Sequence, residues 1–224
     1  MKRRGVFTAG AAAAVGLTAA AAGVDLAHAD TSPSDITPAW TETPFTYTMQ
    51  KPWDLDLSER YKHESGVHTM WVYDTDKPHD PDSDTDPRTE MRWNEEYTTG
   101  EHMWDADVYV PSGVDGPCVA QILRVRRPDG TPSTDIQLRA YNLDGGTLRR
   151  YSSGEVVATG IYDTWLNVKM AHNAGAGSVD VFVNDEHRLT VDDRGPADRH
   201  FKNGVYGGVG RMEARFRNIR YWTR

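Results

Sequence analysis

The sequence predicts an almost entirely β fold, a jelly-roll sandwich of two antiparallel sheets with a concave cleft on one face. After residue 45, no segment shows a sustained 3.6-residue apolar period with helix caps. Short alternating or β-branched runs instead recur between turn signals, as all-β sandwiches require. Several runs also carry polar side chains at every second position, which predicts that one sheet has a working polar face.

The runs that predict strands are separated by recognisable turns. Asn142 to Gly146 divides two of them, and Asn184-Asp185 forms the tip of a hairpin. Trp165 is expected in the core rather than at a site. A further strand, Arg88 to Trp93, follows an acidic loop. The other runs are, in chain order, His68–Tyr73, His102–Val110, Val119–Val125, Asp135–Tyr141, Thr147–Ser152, Trp165–Ala171, Ser178–Val183, Arg188–Val191, Val205–Gly208 and Met212–Trp222.

Residues 1–29 have the pattern of a secretory signal peptide. Three basic residues precede an alanine-rich apolar run that ends in Ala27-His28-Ala29, an A-x-A cleavage pattern. The adjacent Arg3 and Arg4 also admit twin-arginine export. A membrane anchor is the disfavoured alternative, because alanines make the run only weakly hydrophobic. We therefore expect a secreted, extracellular protein with an extended lead-in over residues 30–45 and one domain over residues 46–224.

Charge and cysteine content limit the functions and the means of stabilisation. The formal net charge is −8, and it becomes −10 without residues 1–29, which hold three basic residues and one acidic residue. Non-specific nucleic-acid binding is disfavoured, since it needs a basic surface. Cys118 is the single cysteine, so no intrachain disulfide can form, and its apolar neighbours predict a buried, inert thiol.

Six aspartates crowd the loop before the Arg88 strand, at positions 74, 76, 80, 82, 84 and 86. Carboxylate oxygens at this density are ligands that Ca²⁺ accepts, but the run lacks the glycine and the distal glutamate of an EF-hand loop. Two interpretations stay open, a calcium site and a solvated acidic loop. No other pattern requires a cofactor.

Polar side chains on alternate positions of four runs predict one cationic cleft on an acidic protein. Each run presents apolar groups on its opposite face. A cleft rich in cations and amides suits an acidic polysaccharide, whose carboxylates need bidentate or amide partners. The predicted cleft residues are Arg88, Glu90, Arg92, Gln121, Gln137, Arg139, Tyr141, His200, Lys202 and Tyr206.

Such a cleft suits β-elimination at a uronic acid. A donor neutralises the carboxylate, a base removes the C5 proton, and an acid protonates the departing glycosidic oxygen. Hydrolysis needs two opposed carboxylates at a set spacing, and no such pairing is evident. Each residue also has a structural interpretation. Arg88 and Arg92 can pair with nearby acids, His79 can be an ordinary loop residue, and Tyr206 can cap the edge of the core.

Four ordered blocks of the chain resemble a known family. They are VHTMWVYDTDKPHDPDSDTDPRTEMRW, YTTGEHMWDADVYVPSGVDGPCVAQIL, IYDTWLNVKMAHN, and HFKNGVYG followed by RMEARFRNIRYW. They are similar to the alginate-lyase-like jelly-roll polysaccharide lyases, and within that group to glucuronan lyases and plant citrate-binding proteins. The resemblance implies a monomeric lyase that cleaves (1,4)-linked polyuronates by β-elimination.

The resemblance also implies roles for individual residues. The R-T-E-M-R block places Arg88 at the substrate carboxylate. The Gln121-Ile122-Leu123 block gives Gln121 the carboxylate-neutralising role, while Leu123 stands where alginate lyases have a histidine. This departure removes the alginate-type base, so glucuronan is preferred to alginate as the substrate.

The H-F-K-N-G-V-Y block makes Tyr206 the matching catalytic tyrosine and Lys202 its usual neighbour, with His200 in place of the family's first tyrosine. His79 matches by position a histidine that acts with this tyrosine in the glucuronan-type relatives. Either Tyr206 or His79 can be the base. As base, Tyr206 needs a cation nearby, because tyrosine titrates near ~10.

Two functions from different classes follow. The first is a secreted polyuronate lyase, and the alternative is a non-catalytic binding protein for acidic sugars or small carboxylates. A glycoside hydrolase ranks third, because a carboxylate pair is missing. Arg88, Gln121 and Tyr206 together favour the lyase, since a binding protein has no need of a proton-transfer phenol.

Overall fold

The computed structural model describes residues 35–125 and 133–224. The predicted signal peptide, residues 1–29, and residues 30–34 of the lead-in lie outside the described residues. Within them the chain forms strands and two short 3-10 turns, Thr37–Ala39 and Leu57–Glu59, and no α-helix. Accordingly, no helix in these two ranges has the length and hydropathy that crossing a bilayer requires. The predicted all-β class is confirmed.

The described residues contain fifteen strands, numbered in chain order. They are β1 (Thr41–Glu42), β2 (Tyr47–Gln50), β3 (Tyr61–Glu64), β4 (Val67–Tyr73), β5 (Arg88–Trp93), β6 (Glu101–Tyr109), β7 (Cys118–Arg124), β8 (Thr134–Tyr141), β9 (Thr147–Tyr151), β10 (Val156–Thr159), β11 (Trp165–Asn173), β12 (Ser178–Val183), β13 (Glu186–Asp192), β14 (Arg199–Tyr206) and β15 (Arg211–Thr223).

These strands form two antiparallel sheets. The first, called here the back sheet, has the order β13-β12-β11-β6-β15-β4-β3, and β1 pairs with β15. The second, called here the cleft sheet, has the order β10-β9-β8-β7-β14-β5-β2. The four runs predicted to share a polar face, β8, β7, β14 and β5, are consecutive neighbours in the cleft sheet. The predicted two-sheet jelly roll is therefore confirmed.

The core lies between the sheets and is built from the apolar side of each alternating strand. Trp93 on β5 stacks on Phe45 at 4.0 Å between ring centroids and meets Phe201 of β14 edge-on. The indole nitrogen of Trp93 donates a hydrogen bond of 3.0 Å to Asn203, so a buried polar pair is satisfied inside the sandwich. Complete burial of each large apolar side chain contributes roughly 1.5–3 kcal/mol.

Two details of the predicted strands were wrong. Trp165 lies on the outer face of β11, where the guanidinium of Arg217 sits 4.3 Å from its ring, because the core side of this strand belongs to Val168 and Met170. The run predicted as Val205–Gly208 belongs to β14, which ends at Tyr206. Gly207 has a φ of +56°, which turns the chain out of the sheet.

The described part of the lead-in is folded against the back sheet. Its 3-10 turn is followed by β1, whose Thr41 and Glu42 pair with the end of β15. Ile36 and Trp40 pack over a small apolar cluster on the outer face of that sheet, centred on Trp222. This segment therefore extends the sandwich instead of running free.

A buried charged network joins the sheets inside the sandwich. Arg199 donates to Asp135 at 2.6 Å and to Asp193 at 2.7 Å. His172 is 3.2 Å from Asp193 through Nε2 and 2.9 Å from the Tyr97 hydroxyl through Nδ1. Both nitrogens of this imidazole therefore have partners, as expected of a structural network.

Candidate functional site

A cleft of about 350 Å³ opens on the outer face of the cleft sheet. It is bounded by five neighbouring strands, β8, β7, β14, β5 and β2, and by the loop that carries His79. That loop is held by a hydrogen bond of 2.9 Å from the Trp53 backbone nitrogen to the Pro78 carbonyl. The lining residues are Gln50, His79, Thr85, Arg88, Arg92, Gln121, Leu123, Ser133, Thr134, Gln137, His200, Lys202 and Tyr206.

The structure brings eight of the eleven predicted site residues into this cleft and places three elsewhere. Arg139 and Tyr141 line an adjoining cavity of about 340 Å³, which also contains Asp86. Glu90 is 0% exposed and does not line the cleft, whereas the similarly buried Gln121 and His200 do. The prediction that Glu90 contacts the ligand directly is therefore corrected.

Glu90 instead holds together a buried ionic cluster below the cleft. Its Oε2 accepts a hydrogen bond of 2.5 Å from Lys202 Nζ, and its Oε1 accepts one of 2.8 Å from the Gln121 amide. Arg88 Nη1 lies 3.6 Å from the same carboxylate. Because one N–H of Gln121 is committed to Glu90, the carboxylate fixes which way this amide faces.

Close approach of β14 to β5 makes this cluster possible. Gly204 pairs with Glu90 in the sheet register, and it has a φ of +152°. A Cβ at position 204 would lie 2.3 Å from the Thr89 carbonyl oxygen and 2.6 Å from the Glu90 Cα. Only glycine fits between these two backbones, which explains the glycine in the H-F-K-N-G-V-Y block.

Tyr206 lies at the side of the cleft, directly across from Arg88 in the β5–β14 register. The Arg88 guanidinium sits 4.2 Å from the phenol ring and donates a 2.7 Å hydrogen bond to the Thr85 hydroxyl. Burial raises the pKa of Tyr206 above its usual value, and the nearby Arg88 charge only partly opposes this. The phenol is therefore protonated at neutral pH.

The two cleft histidines are neutral at neutral pH. Burial, followed by the charges of Arg88 and Lys202, lowers the pKa of His79. Burial, followed by the charges of Arg92 and Lys202, lowers the pKa of His200 to about 3. Each imidazole therefore offers one donor and one acceptor nitrogen.

Counting only partners that the structure describes, buried polar atoms without a hydrogen bond concentrate in this cleft. They are Gln50 Oε1, His79 Nδ1, Arg88 Nε and both ring nitrogens of His200. An unpaired buried polar group costs on the order of 1–3 kcal/mol. Several such atoms around one cavity indicate a place where a polar ligand completes the hydrogen bonding.

The adjoining cavities extend the cleft along the sheet. The Arg139 guanidinium lies 5.8 Å from the Tyr206 ring and 4.4 Å from the Tyr151 ring, so it connects the central cleft to its neighbours. Tyr141 lines both the second cavity and a third one of about 220 Å³, which Arg149 and Tyr151 also line. Together the three cavities form a groove, and the half-exposed ring of Tyr151 lines its third cavity.

Arg92 is held by a weaker and more exposed ion pair than the buried cations of the cleft. It forms an ion pair of 2.5 Å with Glu96, and both side chains are partly exposed. Exposed pairs of this kind contribute little to stability, so Arg92 can exchange Glu96 for a ligand carboxylate at small cost. The sequence left open whether Arg92 pairs with a nearby acid, and the structure shows that it does. This pairing does not exclude ligand binding by Arg92.

The six aspartates do not converge on a point. Asp76 pairs with Arg60 at 2.7 Å, and Asp74 accepts a hydrogen bond from the Gly210 backbone. Asp80 accepts one from the Asp82 backbone. Across residues 35–125 and 133–224, no group of three or more potential ligands is arranged to hold a metal ion. The geometry of this loop gives no support to a calcium site.

Cys118 is fully buried, and burial raises its pKa to about 12. The predicted burial of this thiol is confirmed. Sequence reasoning missed several cleft residues, namely Gln50, Thr85, Ser133 and Thr134. Gln50 pairs with Glu90 through β2, a neighbour that only the sheet order reveals.

Comparison with known proteins gives two findings, and no protein-family profile matches the chain. The chain is 39% identical over 197 residues to a citrate-binding protein of Hevea brasiliensis, and this alignment covers 84% of this chain and 79% of that protein. The chain belongs to the citrate-binding protein family.

Solved structures similar to this member of the citrate-binding protein family include alginate lyases. One from Pseudomonas aeruginosa has a TM-score of 0.62 and 16% identity, covering 80% of this chain and 98% of that one. Another, of polysaccharide lyase family 7, has a TM-score of 0.61 and 17% identity over 80% of this chain and 94% of that one. At these identities the likeness shows the fold alone. The predicted resemblance is therefore confirmed as family membership for the citrate-binding proteins and as a shared fold for the alginate lyases, and the resemblance to glucuronan lyases stays a prediction.

Proposed function

We propose that the protein is a secreted lyase that cleaves a (1,4)-linked polyuronate by β-elimination. The observation that supports this proposal is the content of one cleft, in which cations and an amide surround a neutral imidazole and a protonated phenol. β-Elimination needs these three elements together, a carboxylate clamp, a base and an acid.

In this proposal, Arg88 and Arg92 hold the uronate carboxylate, and Gln121 adds a hydrogen bond that stabilises the charge developing on it. The C5–H bond then breaks, and its electrons form the C4–C5 double bond as the C4–O bond to the neighbouring sugar breaks. The base keeps the C5 proton, and the acid gives its own proton to the departing oxygen. Glu90 and Lys202 act from below by fixing the Gln121 amide.

His79 is the better candidate for the base and Tyr206 for the acid. Its lowered pKa keeps His79 neutral at neutral pH, and its buried Nδ1 has no hydrogen-bond partner in the described part of the chain. The raised pKa of Tyr206 keeps its proton in place for transfer to the leaving oxygen. The cation close to Tyr206, Arg88, does not offset the effect of burial, so a phenolate base is disfavoured.

Glucuronan is the first candidate substrate. The support is indirect, because Leu123 stands in the cleft where the resemblance to alginate lyases calls for a histidine. A groove of three connected cavities suits several sugar units and therefore cleavage within a polymer. Secretion, action as a monomer and independence from a metal ion are further parts of the proposal.

The proposal is tested by ultraviolet absorbance. Residues 30–224 are incubated separately with glucuronan, polymannuronate, polyguluronate and hyaluronan. β-Elimination leaves a double bond conjugated to the carboxylate, which absorbs, whereas hydrolysis leaves none. We expect absorbance to rise with glucuronan. No rise with any polymer, at protein concentrations that saturate binding, contradicts a lyase.

The second candidate is a non-catalytic binding protein for small carboxylates or acidic sugars. The relative from Hevea brasiliensis is named for citrate, and the same cations suit a compact polycarboxylate. This function needs no acid or base. Tight citrate binding together with no absorbance change on any polyuronate is the result that favours it.

A further inference from the structure

His200 is the most conspicuous unsatisfied group in the cleft. It is 1% exposed, and neither of its ring nitrogens has a hydrogen-bond partner among residues 35–125 and 133–224. The structural histidine of the core, His172, has partners on both nitrogens. A buried imidazole with two unpaired nitrogens costs free energy in the empty protein, and an apolar side chain in its place avoids that cost.

The neighbours of His200 explain why the protein itself does not satisfy it. Its cross-strand partner on β7 is Leu123, which shares the cleft face and offers no polar atom. The charges that act on the ring are those of Arg92 and Lys202, and cations supply only donors. The described groups identified beside the ring are therefore one apolar side chain and two cations, which Glu96 and Glu90 already hold.

A neutral imidazole favours one kind of ligand group over another. A carboxylate only accepts hydrogen bonds, so it would leave the acceptor nitrogen of the imidazole unpaired. The cations of the cleft also attract a carboxylate more strongly than the neutral imidazole does. A hydroxyl both donates and accepts, so it can pair with either ring nitrogen in either tautomer. The imidazole of His200 is thus suited to bind a ligand hydroxyl that lies beside the carboxylate held by the cations.

We propose that His200 is a specificity-determining residue that recognises a ligand hydroxyl next to the bound carboxylate, so that the cleft selects hydroxy-carboxylates over plain carboxylates. The inference rests on the proposed ligand-binding role of the cleft, and it applies to a sugar uronate and to a small hydroxy acid alike. It assigns His200 no proton transfer.

Matched pairs of small acids test this inference without any catalysis. Citrate and tricarballylate differ only by one hydroxyl, and so do malate and succinate. Isothermal titration of the wild-type protein should give at least about 10-fold tighter binding for the hydroxylated member of a pair, since the other leaves the imidazole unpaired. His200→Leu should bind both members equally, and His200→Gln, which keeps a donor and an acceptor, should restore part of the difference.

Thermal melting of the empty protein supplies a second readout. His200→Leu removes two unpaired buried nitrogens, so its melting temperature should equal or exceed that of the wild type. The control is His187→Leu on β13, an exposed imidazole that should change neither melting nor discrimination.

Three results overturn the inference. They are equal wild-type binding of both members of each pair, discrimination that survives in His200→Leu, and no wild-type binding of any of the four acids at millimolar concentration. A protein that cleaves polyuronate but does not discriminate within these pairs keeps its proposed function and loses this role for His200. A protein that discriminates within these pairs but does not cleave polyuronate keeps this role for His200 and loses its proposed function.

Discussion

Removing either partner of the buried Glu90–Lys202 pair should destabilise the protein strongly and unequally. Both side chains are at most 1% exposed, and breaking such a pair costs about 3–5 kcal/mol. Glu90→Gln leaves Lys202 and Arg88 buried with no anion between them, so its cost should fall near the upper value. Lys202→Met leaves Glu90 with Arg88 at 3.6 Å and the Gln121 amide, so its cost should fall near the lower value.

For a domain of this size, 1 kcal/mol shifts the melting temperature by about 2–4 °C. Glu90→Gln should therefore lower it by about 10–20 °C and Lys202→Met by about 6–12 °C. The free energy of unfolding is measured by urea titration of both single variants and the double variant. The double variant should cost much less than the two single costs together, because it removes both charges of the pair and leaves only Arg88 without its anion.

The exposed pair Lys62–Glu64 provides the control, with side chains 57% and 65% exposed. Glu64→Gln and Lys62→Met should produce no resolvable change in unfolding. The reasoning fails if the buried single variants behave like these controls. It also fails if the cost of the double variant equals the sum of the single costs, since that result denies any coupling.

Three further predictions concern catalysis. Tyr206→Phe should abolish turnover while leaving the affinity for polyuronate within a few-fold by titration calorimetry, and turnover with lost affinity contradicts the acid role. The pKa of the base His79 is lowered from 6.5, so kcat/KM should fall only below pH 6.5. The pKa of the acid Tyr206 is raised from 10.0, so kcat/KM should stay flat up to about pH 10. A value of kcat/KM that climbs between these two pH values indicates a phenolate base instead. Tyr151→Ala should raise KM for long polymer and leave KM for a disaccharide unchanged, because this half-exposed ring lines the third cavity and not the central cleft. Equal effects on both substrates count against the extended groove.

Alternation along the strands was enough to predict which residues share the cleft face. Arg88 and Arg92 on β5, and Gln121 on β7, have core residues between or beside them, and a period of two separates the faces without any knowledge of the fold. The same alternation also predicts that one sheet has a polar face. It does not say which strands are neighbours, and for this reason Gln50 on β2 was missed.

Depth and distance along a strand are not encoded in this pattern. Glu90 has the same parity as Arg88 and Arg92, yet its shorter side chain ends below theirs and is sealed by Lys202. Tyr141 has the same parity as Gln137, but four residues of strand separate them by about 13 Å, which places Tyr141 in the next cavity. Such differences depend on side-chain length and on the close β5–β14 approach at Gly204.

The pKa directions likewise needed the structure. A tyrosine beside an arginine suggests a lowered pKa from the sequence, and Arg88 does lie against Tyr206. Burial outweighs that charge, however, and the phenol keeps its proton. The choice between His79 and Tyr206 as base therefore rests on how deeply each group is buried, which no residue pattern reports.

The central claim is tested most directly by proton NMR of glucuronan during incubation with the protein. If the cleft performs β-elimination, each new reducing end should appear together with one olefinic proton at C4 of the opposite fragment, in equal amounts. New reducing ends without olefinic signals contradict the account and indicate hydrolysis. An unchanged polymer that binds to the protein contradicts it in the other direction and indicates a binding protein.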